Sequence, residues 1–161
     1  MTSSELRTLS PDETLRCGRA LAPLLRAGDV ILLSGDLGAG KTQLTKGVAD
    51  GLAVVEPVTS PTFNILLVHQ GRVPLYHFDL YRLEHADELE DLDYYAILES
   101  DGVSIVEWGD RFAEAAPAQG LSVSMLIEGD EARRIEVSPI GARGEELAGA
   151  WLAAYAEGGA R

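Results

Sequence analysis

The 161-residue sequence predicts a single α/β domain in three layers, built on a mixed parallel and antiparallel sheet that carries added hairpins. Three observations carry that prediction. Short apolar runs, Val30-Ile-Leu-Leu33 and the largely apolar Val103-Ser-Ile-Val106, read as buried strands. They alternate with segments of helical period. Two further pairs of strand-like runs are joined by short turns, Gln70-Gly-Arg72 and Glu128-Gly-Asp-Glu131, and such hairpins require antiparallel neighbours. A chain of this length holds one ordinary core, so residues 1–161 are read as one domain, with 157–161 a frayed tail.

The elements follow in order. Ser10-Pro11-Asp12-Glu13 combines an N-cap serine, a proline at the first helical position and a glutamate three residues on. Leu15, Cys17 or Gly18, Leu21, Leu24 and Leu25 continue that helix as an apolar stripe up to Gly28, a natural stop. The strand Val30–Leu33, a glycine-rich loop and a helix to about Leu52 come next. Val54 to Pro61 is a loop whose path Pro57 and Pro61 fix. Phe63–His69 and Val73–Leu80 form the first hairpin. Glu84 to Asp101 reads as one or two short helices, with Leu83, Leu89, Leu92, Tyr95 and Leu98 turned inward. After Val103–Val106 a short helix over Arg111–Ala115 leads to the second hairpin, Leu121–Ile127 and Arg133–Val137. A helix over about Glu145–Tyr155 closes the chain.

Composition narrows the function. The net charge is −13 and the isoelectric point about 4.5, which argues against a large nucleic-acid footprint. From Glu84 to Asp101 there are eight acids and no Lys or Arg, either a solvated face or a docking surface for a basic partner. No apolar stretch approaches the roughly 18 residues that span a bilayer, and Met1-Thr-Ser-Ser-Glu5 lacks the basic and apolar parts of a secretory signal. No membrane association and a cytoplasmic location are therefore expected. Cys17 is the sole cysteine, so neither an internal disulfide nor a cysteine-based zinc site can form. Its helical spacing from Leu21 and Leu24 marks it as a small buried apolar residue.

The chemistry centres on Gly35-Asp-Leu-Gly-Ala-Gly-Lys-Thr42, a glycine, four free positions and then Gly-Lys-Thr, the P-loop or Walker A pattern. Amides of Gly38, Ala39, Gly40 and Lys41 can curl around a β-phosphate where no side chain blocks the approach, and glycine supplies the positive φ that the curl needs. Lys41 is placed for the β- and γ-phosphates and the Thr42 hydroxyl for Mg²⁺. The octet lies between a strand and a helix, the setting the motif requires. A P-loop NTPase domain also needs a carboxylate at a strand end for the metal, and Glu107, closing Ile105-Val-Glu107, is the best candidate. Trp108 follows it, either a packing residue or one that meets nucleotide or a partner. Asp79, closing Leu75-Tyr-His-Phe-Asp79, is the second choice, for metal or for the attacking water, and His77, Tyr81 and Arg82 around it strengthen that choice. Ser60-Pro-Thr-Phe63 is either a segment that senses the γ-phosphate or a proline-fixed turn.

Four of these segments, Gly35–Thr42, Ser60-Pro-Thr-Phe63, His77-Phe-Asp-Leu-Tyr-Arg82 and Val106-Glu-Trp-Gly109, stand in the order and at the spacing of the TsaE family, which the chain resembles from about Thr14 to Val137. That family is the small ATPase of the bacterial machinery making threonylcarbamoyladenosine beside the anticodon of tRNA. The resemblance implies ATP or ADP on Leu37, Gly38, Ala39, Gly40, Lys41 and Thr42, Mg²⁺ on Thr42 and Glu107, and functional roles for Asp79 and Trp108. It also implies nucleotide contacts from Thr14 and from Arg133, with Arg134 the other candidate for the latter. The implied partners are TsaD and TsaB, which handle the tRNA and the group transfer, while ATP hydrolysis drives or resets them. The acidic composition agrees, since the chain would meet tRNA only through its partners.

Two other classes remain open. A small-molecule or nucleotide kinase would use the same loop but needs an acceptor pocket and an arginine-bearing lid, and only Arg111, Arg133 and Arg134 stand between Val103 and Val137, the end of the second hairpin. A nucleotide-gated binding module would hold ATP or ADP with negligible turnover. A GTPase is disfavoured, because no Asn-Lys-x-Asp segment occurs.

Overall fold

The first helix begins where its cap directs. In the computed structural model, which describes residues 4–58 and 65–159, Ser10 sits at the N-cap in an extended conformation and its Oγ accepts a hydrogen bond from the Glu13 amide at 3.2 Å. Glu13 reaches back to accept from the Leu9 amide at 2.9 Å, so one free helix-end donor and the amide just before the cap are satisfied reciprocally. The helix, α1 (Pro11–Leu21), stops well short of the expected Gly28. Pro23 has no amide hydrogen for the next turn, and the chain tightens into a 3₁₀ turn over Ala22–Leu24.

Seven strands form one sheet in the order β1 (Ser4–Thr8), β7 (Arg133–Ile140), β6 (Gly120–Ile127), β2 (Val30–Gly35), β5 (Val103–Glu107), β4 (Leu75–Asp79) and β3 (Leu66–His69). The central four, β6-β2-β5-β4, are parallel, whereas β7 runs antiparallel to β6, β1 to β7 and β3 to β4. The mixed sheet and both hairpins thus match expectation. Strand β1 was not anticipated: in Ser4-Glu-Leu-Arg-Thr8 only Leu6 and Thr8 are buried, a pattern too short and too polar to announce an edge strand.

Two apolar clusters cover the two faces of the sheet. One joins α1, α2 (Lys41–Gly51) and α5 (Gly141–Gly159) to Ile31, Leu33, Ile105 and Val123. The other joins α3 (Glu88–Asp91) and α4 (Tyr94–Leu98) to Phe78 and Val106. In the acidic stretch Tyr94, not the expected Tyr95, is the inward residue: it is fully buried and edge-on to Phe78, while Tyr95 is 42% exposed. The left-handed Asp93 (φ +56°) breaks the phase between α3 and α4, and within α4 the residue one turn from buried Leu98 is Tyr94. The helix expected at Arg111–Ala115 is instead two 3₁₀ turns, Gly109–Arg111 and Ala113–Ala115. Helix α5 outruns its predicted bounds at both ends, and residues 157–159 of the expected tail continue it.

Helices α1 and α2 cross almost backbone to backbone. A Cβ built on Gly47 would collide with the Leu15 carbonyl oxygen, and one on Gly18 would lie 2.9 Å from the Val48 nitrogen. This close crossing brings Thr14 on α1 beside the head of α2. Among the described residues no helix is long and apolar enough to cross a membrane.

Candidate functional site

Strand β2 ends at Gly35 and α2 begins at Lys41, and the five residues between them form a tight loop. The Ala39 amide donates to the Asp36 carbonyl at 3.0 Å. Gly38 (φ +82°) and Gly40 (φ +99°) take left-handed conformations that glycine adopts without strain. Gly40 also caps α2 without a side chain, so the first amides of the helix face the cleft uncovered.

The sheet supplies the carboxylates. Parallel pairing aligns Leu33, Glu107 and Asp79 on one rung across β2, β5 and β4, which puts both acids at the C-terminal ends of adjacent strands beside the loop. In open α/β sheets this edge is where ligands bind. A cleft of about 600 Å³ opens there, lined by Thr14, Leu37, Gly38, Gly40, Lys41, Thr42, Asp79, Glu107, Trp108 and Arg133, and by Pro11, Gln43 and Glu131. Ala39, also expected at the nucleotide, is buried within the loop and does not line the cleft. Ser60-Pro-Thr-Phe63 lies outside the described residues.

Glu107 is the hub. Its Oε2 lies 2.6 Å from Nε2 of the fully buried His77, and its Oε1 lies 3.6 Å from the Lys41 ammonium. Burial alone would raise its carboxyl. The hydrogen bond with His77 and the adjacent Lys41 charge more than offset that and hold Glu107 below the ordinary glutamate range. Asp79 moves the opposite way: partial burial, reinforced by the Glu107 charge, pushes it up against the hydrogen bond it accepts from the Tyr81 amide at 3.0 Å. The two carboxylates on one rung therefore differ in proton affinity. Lys41 also lies 5.6 Å from the centre of the Trp108 ring, which packs against Tyr81 at 5.0 Å. Trp108 holds a left-handed backbone (φ +62°) and is 42% exposed.

Arg133 grips the loop. Its guanidinium donates to the carbonyls of Gly38 at 3.0 Å and Ala39 at 3.1 Å, and also to those of Gly129, Asp130 and Ala132 in its own hairpin. Arg134, the other candidate, turns away to Glu128 and Glu136. Thr14 is buried, and its hydroxyl lies 2.7 Å from that of Thr8 on β1. Sequence reasoning noted His77 only as a neighbour of Asp79. The alternation of Leu75-Tyr-His-Phe-Asp79, which puts residues 77 and 79 on one face, is the signal that joins it to the site. Pro11, Gln43 and Glu131 carried no such signal.

Helix-end amides and an ammonium offer a seat for an anion, while the Thr42 hydroxyl and two carboxylates offer hard oxygens suited to a divalent cation. Fold and site together define an α/β protein with a glycine-rich loop and two strand-end carboxylates at the edge of a parallel sheet core. The comparisons with known proteins are specific. The sequence model of the family described as threonylcarbamoyl adenosine biosynthesis protein TsaE matches residues 8–135. The tRNA threonylcarbamoyladenosine biosynthesis protein TsaE of Bacillus subtilis is 41% identical over 148 residues, covering 91% of this chain and 92% of that protein. Its counterpart in Streptomyces coelicolor is 47% identical over 134 residues, 78% of this chain and 90% of that one. The crystal structure of Bacillus subtilis YdiB superposes with a TM-score of 0.78 at 35% identity, covering 93% of this chain and 94% of that one. The chain belongs to the TsaE family of tRNA threonylcarbamoyladenosine biosynthesis.

Proposed function

We propose that the protein is a P-loop ATPase that binds ATP and Mg²⁺ and works as one domain in the cytoplasm, acting on TsaD and TsaB rather than transferring the threonylcarbamoyl group itself. The observation that carries this reading is the meeting of Lys41, at the head of α2, with the ionised strand-end carboxylate of Glu107. A Cβ at Gly38 would meet nothing within 4 Å, so the approach to the loop is open there, and Thr42 with Glu107 forms a hydroxyl and carboxylate donor set that fits Mg²⁺. The ion would neutralise charge on the phosphate oxygens during transfer.

The chain's own residues do the rest. The loop amides and the positive end of α2 hold the phosphates, and Lys41 leaves Glu107 for the terminal phosphates as they arrive. Asp79, with its raised proton affinity, is suited to orient and accept a proton from the attacking water. Arg133 fixes the loop through its carbonyls, and Trp108 walls the cleft beside Lys41. Engagement of Arg133 with five carbonyls also weakens the kinase reading, because that arginine is spent on the loop and its own hairpin rather than available to an acceptor lid.

The test is ATP hydrolysis by the purified chain with and without TsaB and TsaD. Stimulation by the partners is expected. If they neither bind nor alter the rate, and label from γ-³²P ATP appears on a small acceptor, the chain is a kinase. If ATP binds without turnover in either condition, it is a gated binding module.

A further inference from the structure

Glu107 is held from two sides that differ in kind. On the cleft side, Oε1 faces Lys41, whose partner changes once phosphate arrives. On the inner side, Oε2 faces Nε2 of His77 at 2.6 Å, at a point where neither residue reaches solvent to any extent: His77 is 0% and Glu107 4% exposed. A carboxylate only accepts hydrogen bonds, so the shared proton belongs to Nε2. The other ring nitrogen, Nδ1, is buried and has no hydrogen-bond partner among the described residues. A buried polar atom without a partner carries a cost, and an apolar residue would fill this position of β4 without it. What the imidazole gains is the single bond to Glu107.

The register shows why a histidine suits the task. His77 pairs with Ile105 and Asp79 with Glu107, so His77 lies one step further into the sheet than the carboxylate that it meets. A side chain that spans this diagonal and presents one donor at its far end pins one oxygen of Glu107 and leaves the other to the cleft. Carboxylates that hold metals are oriented in this way by hydrogen bonds from behind.

We propose that His77 is a positioning residue that fixes Glu107, through Nε2–H, in the orientation that takes Mg²⁺ with the nucleotide. The proposal rests on the reading of the cleft as a Mg²⁺-nucleotide site. When nucleotide draws Lys41 away, the His77 bond alone keeps the freed carboxylate from relaxing.

The two amide replacements separate this role from simple packing. His77→Gln places an amide nitrogen where Nε2 stands, whereas His77→Asn places one where Nδ1 stands, away from Glu107. Calorimetric titration with ADP, with and without Mg²⁺, reads the effect without turnover. The Mg²⁺ concentration giving half of the Mg²⁺-dependent gain in ADP affinity should rise about tenfold or more in His77→Asn and stay within about threefold of wild type in His77→Gln. ADP affinity in EDTA should be unchanged in both, and melting curves verify that each variant is folded. Equal shifts in the two variants, or a loss of affinity in EDTA as large as that in Mg²⁺, would overturn the positioning role. A wild-type protein whose ADP affinity ignores Mg²⁺ would instead overturn the underlying reading of the cleft.

Discussion

At the scale of single residues, charge placement sets the site's behaviour. Replacing Lys41 with alanine removes the ammonium that offsets Glu107 and the charge that would meet phosphate. Nucleotide affinity should fall below calorimetric detection, and an unchanged affinity would refute the phosphate-loop reading. Glu107→Ala should weaken Mg²⁺-dependent turnover more than Mg²⁺-free binding, and equal losses would make Glu107 a purely structural residue. Because the folded protein holds Glu107 below its ordinary range, its contribution to stability is complete above that range and is lost as pH falls through the lower folded value. Urea unfolding across that window should show a shallower acid slope for Glu107→Gln than for wild type. Most of the site was legible in the sequence, since Lys41, Thr42, Asp79 and Glu107 are fixed by motif and strand ends. The His77 bond and the grip of Arg133 on the loop depend on tertiary contacts between distant segments, which spacing alone cannot reveal.

Among the elements, the crossing of α1 and α2 and the seating of α5 dominate. Alanine raises helix propensity over glycine by about 1 kcal/mol, yet at Gly47 its methyl would press on the Leu15 backbone. Gly47→Ala should therefore destabilise the fold by about 1–3 kcal/mol, measured by urea denaturation. At the start of α5, Arg143 forms a two-pronged pair with buried Asp29, at 2.7 and 2.9 Å, and donates to the Leu24 carbonyl. Removing the guanidinium leaves the Asp29 carboxylate with the Arg26 amide as its remaining hydrogen-bond donor among the described residues, and Arg143→Ala should cost about 3 kcal/mol by the same measurement. Neither feature is visible locally, because the Gly47–Leu15 contact and the Arg143–Asp29 pair join segments far apart in the chain. Strands β2 and β5 were legible because burial makes them largely apolar, and β4 and β6 because each is followed or preceded by a hairpin turn. Edge strand β1 and the 3₁₀ turns after Trp108 lack that signature.

For the whole molecule, the sheet gathers four chain segments at one edge, so occupancy of that edge bears on global stability. Ligand at a hundred times its dissociation constant adds about 2.7 kcal/mol, equivalent to roughly 5–10 °C in melting temperature for a chain of this size. Differential scanning calorimetry with Mg²⁺ and ADP should show that rise, and Lys41→Ala should abolish it. The net charge of −13 further predicts no retention of free tRNA by the chain alone in a gel-shift assay at physiological salt. The protein also carries two tryptophans in opposed surroundings. Trp151 is wholly enclosed, with its indole nitrogen donating to the Cys17 carbonyl, while Trp108 stands half in solvent beside Lys41. The intrinsic fluorescence is thus a built-in optical gauge, with one emitter constant and the other sensitive to whatever draws the lysine away.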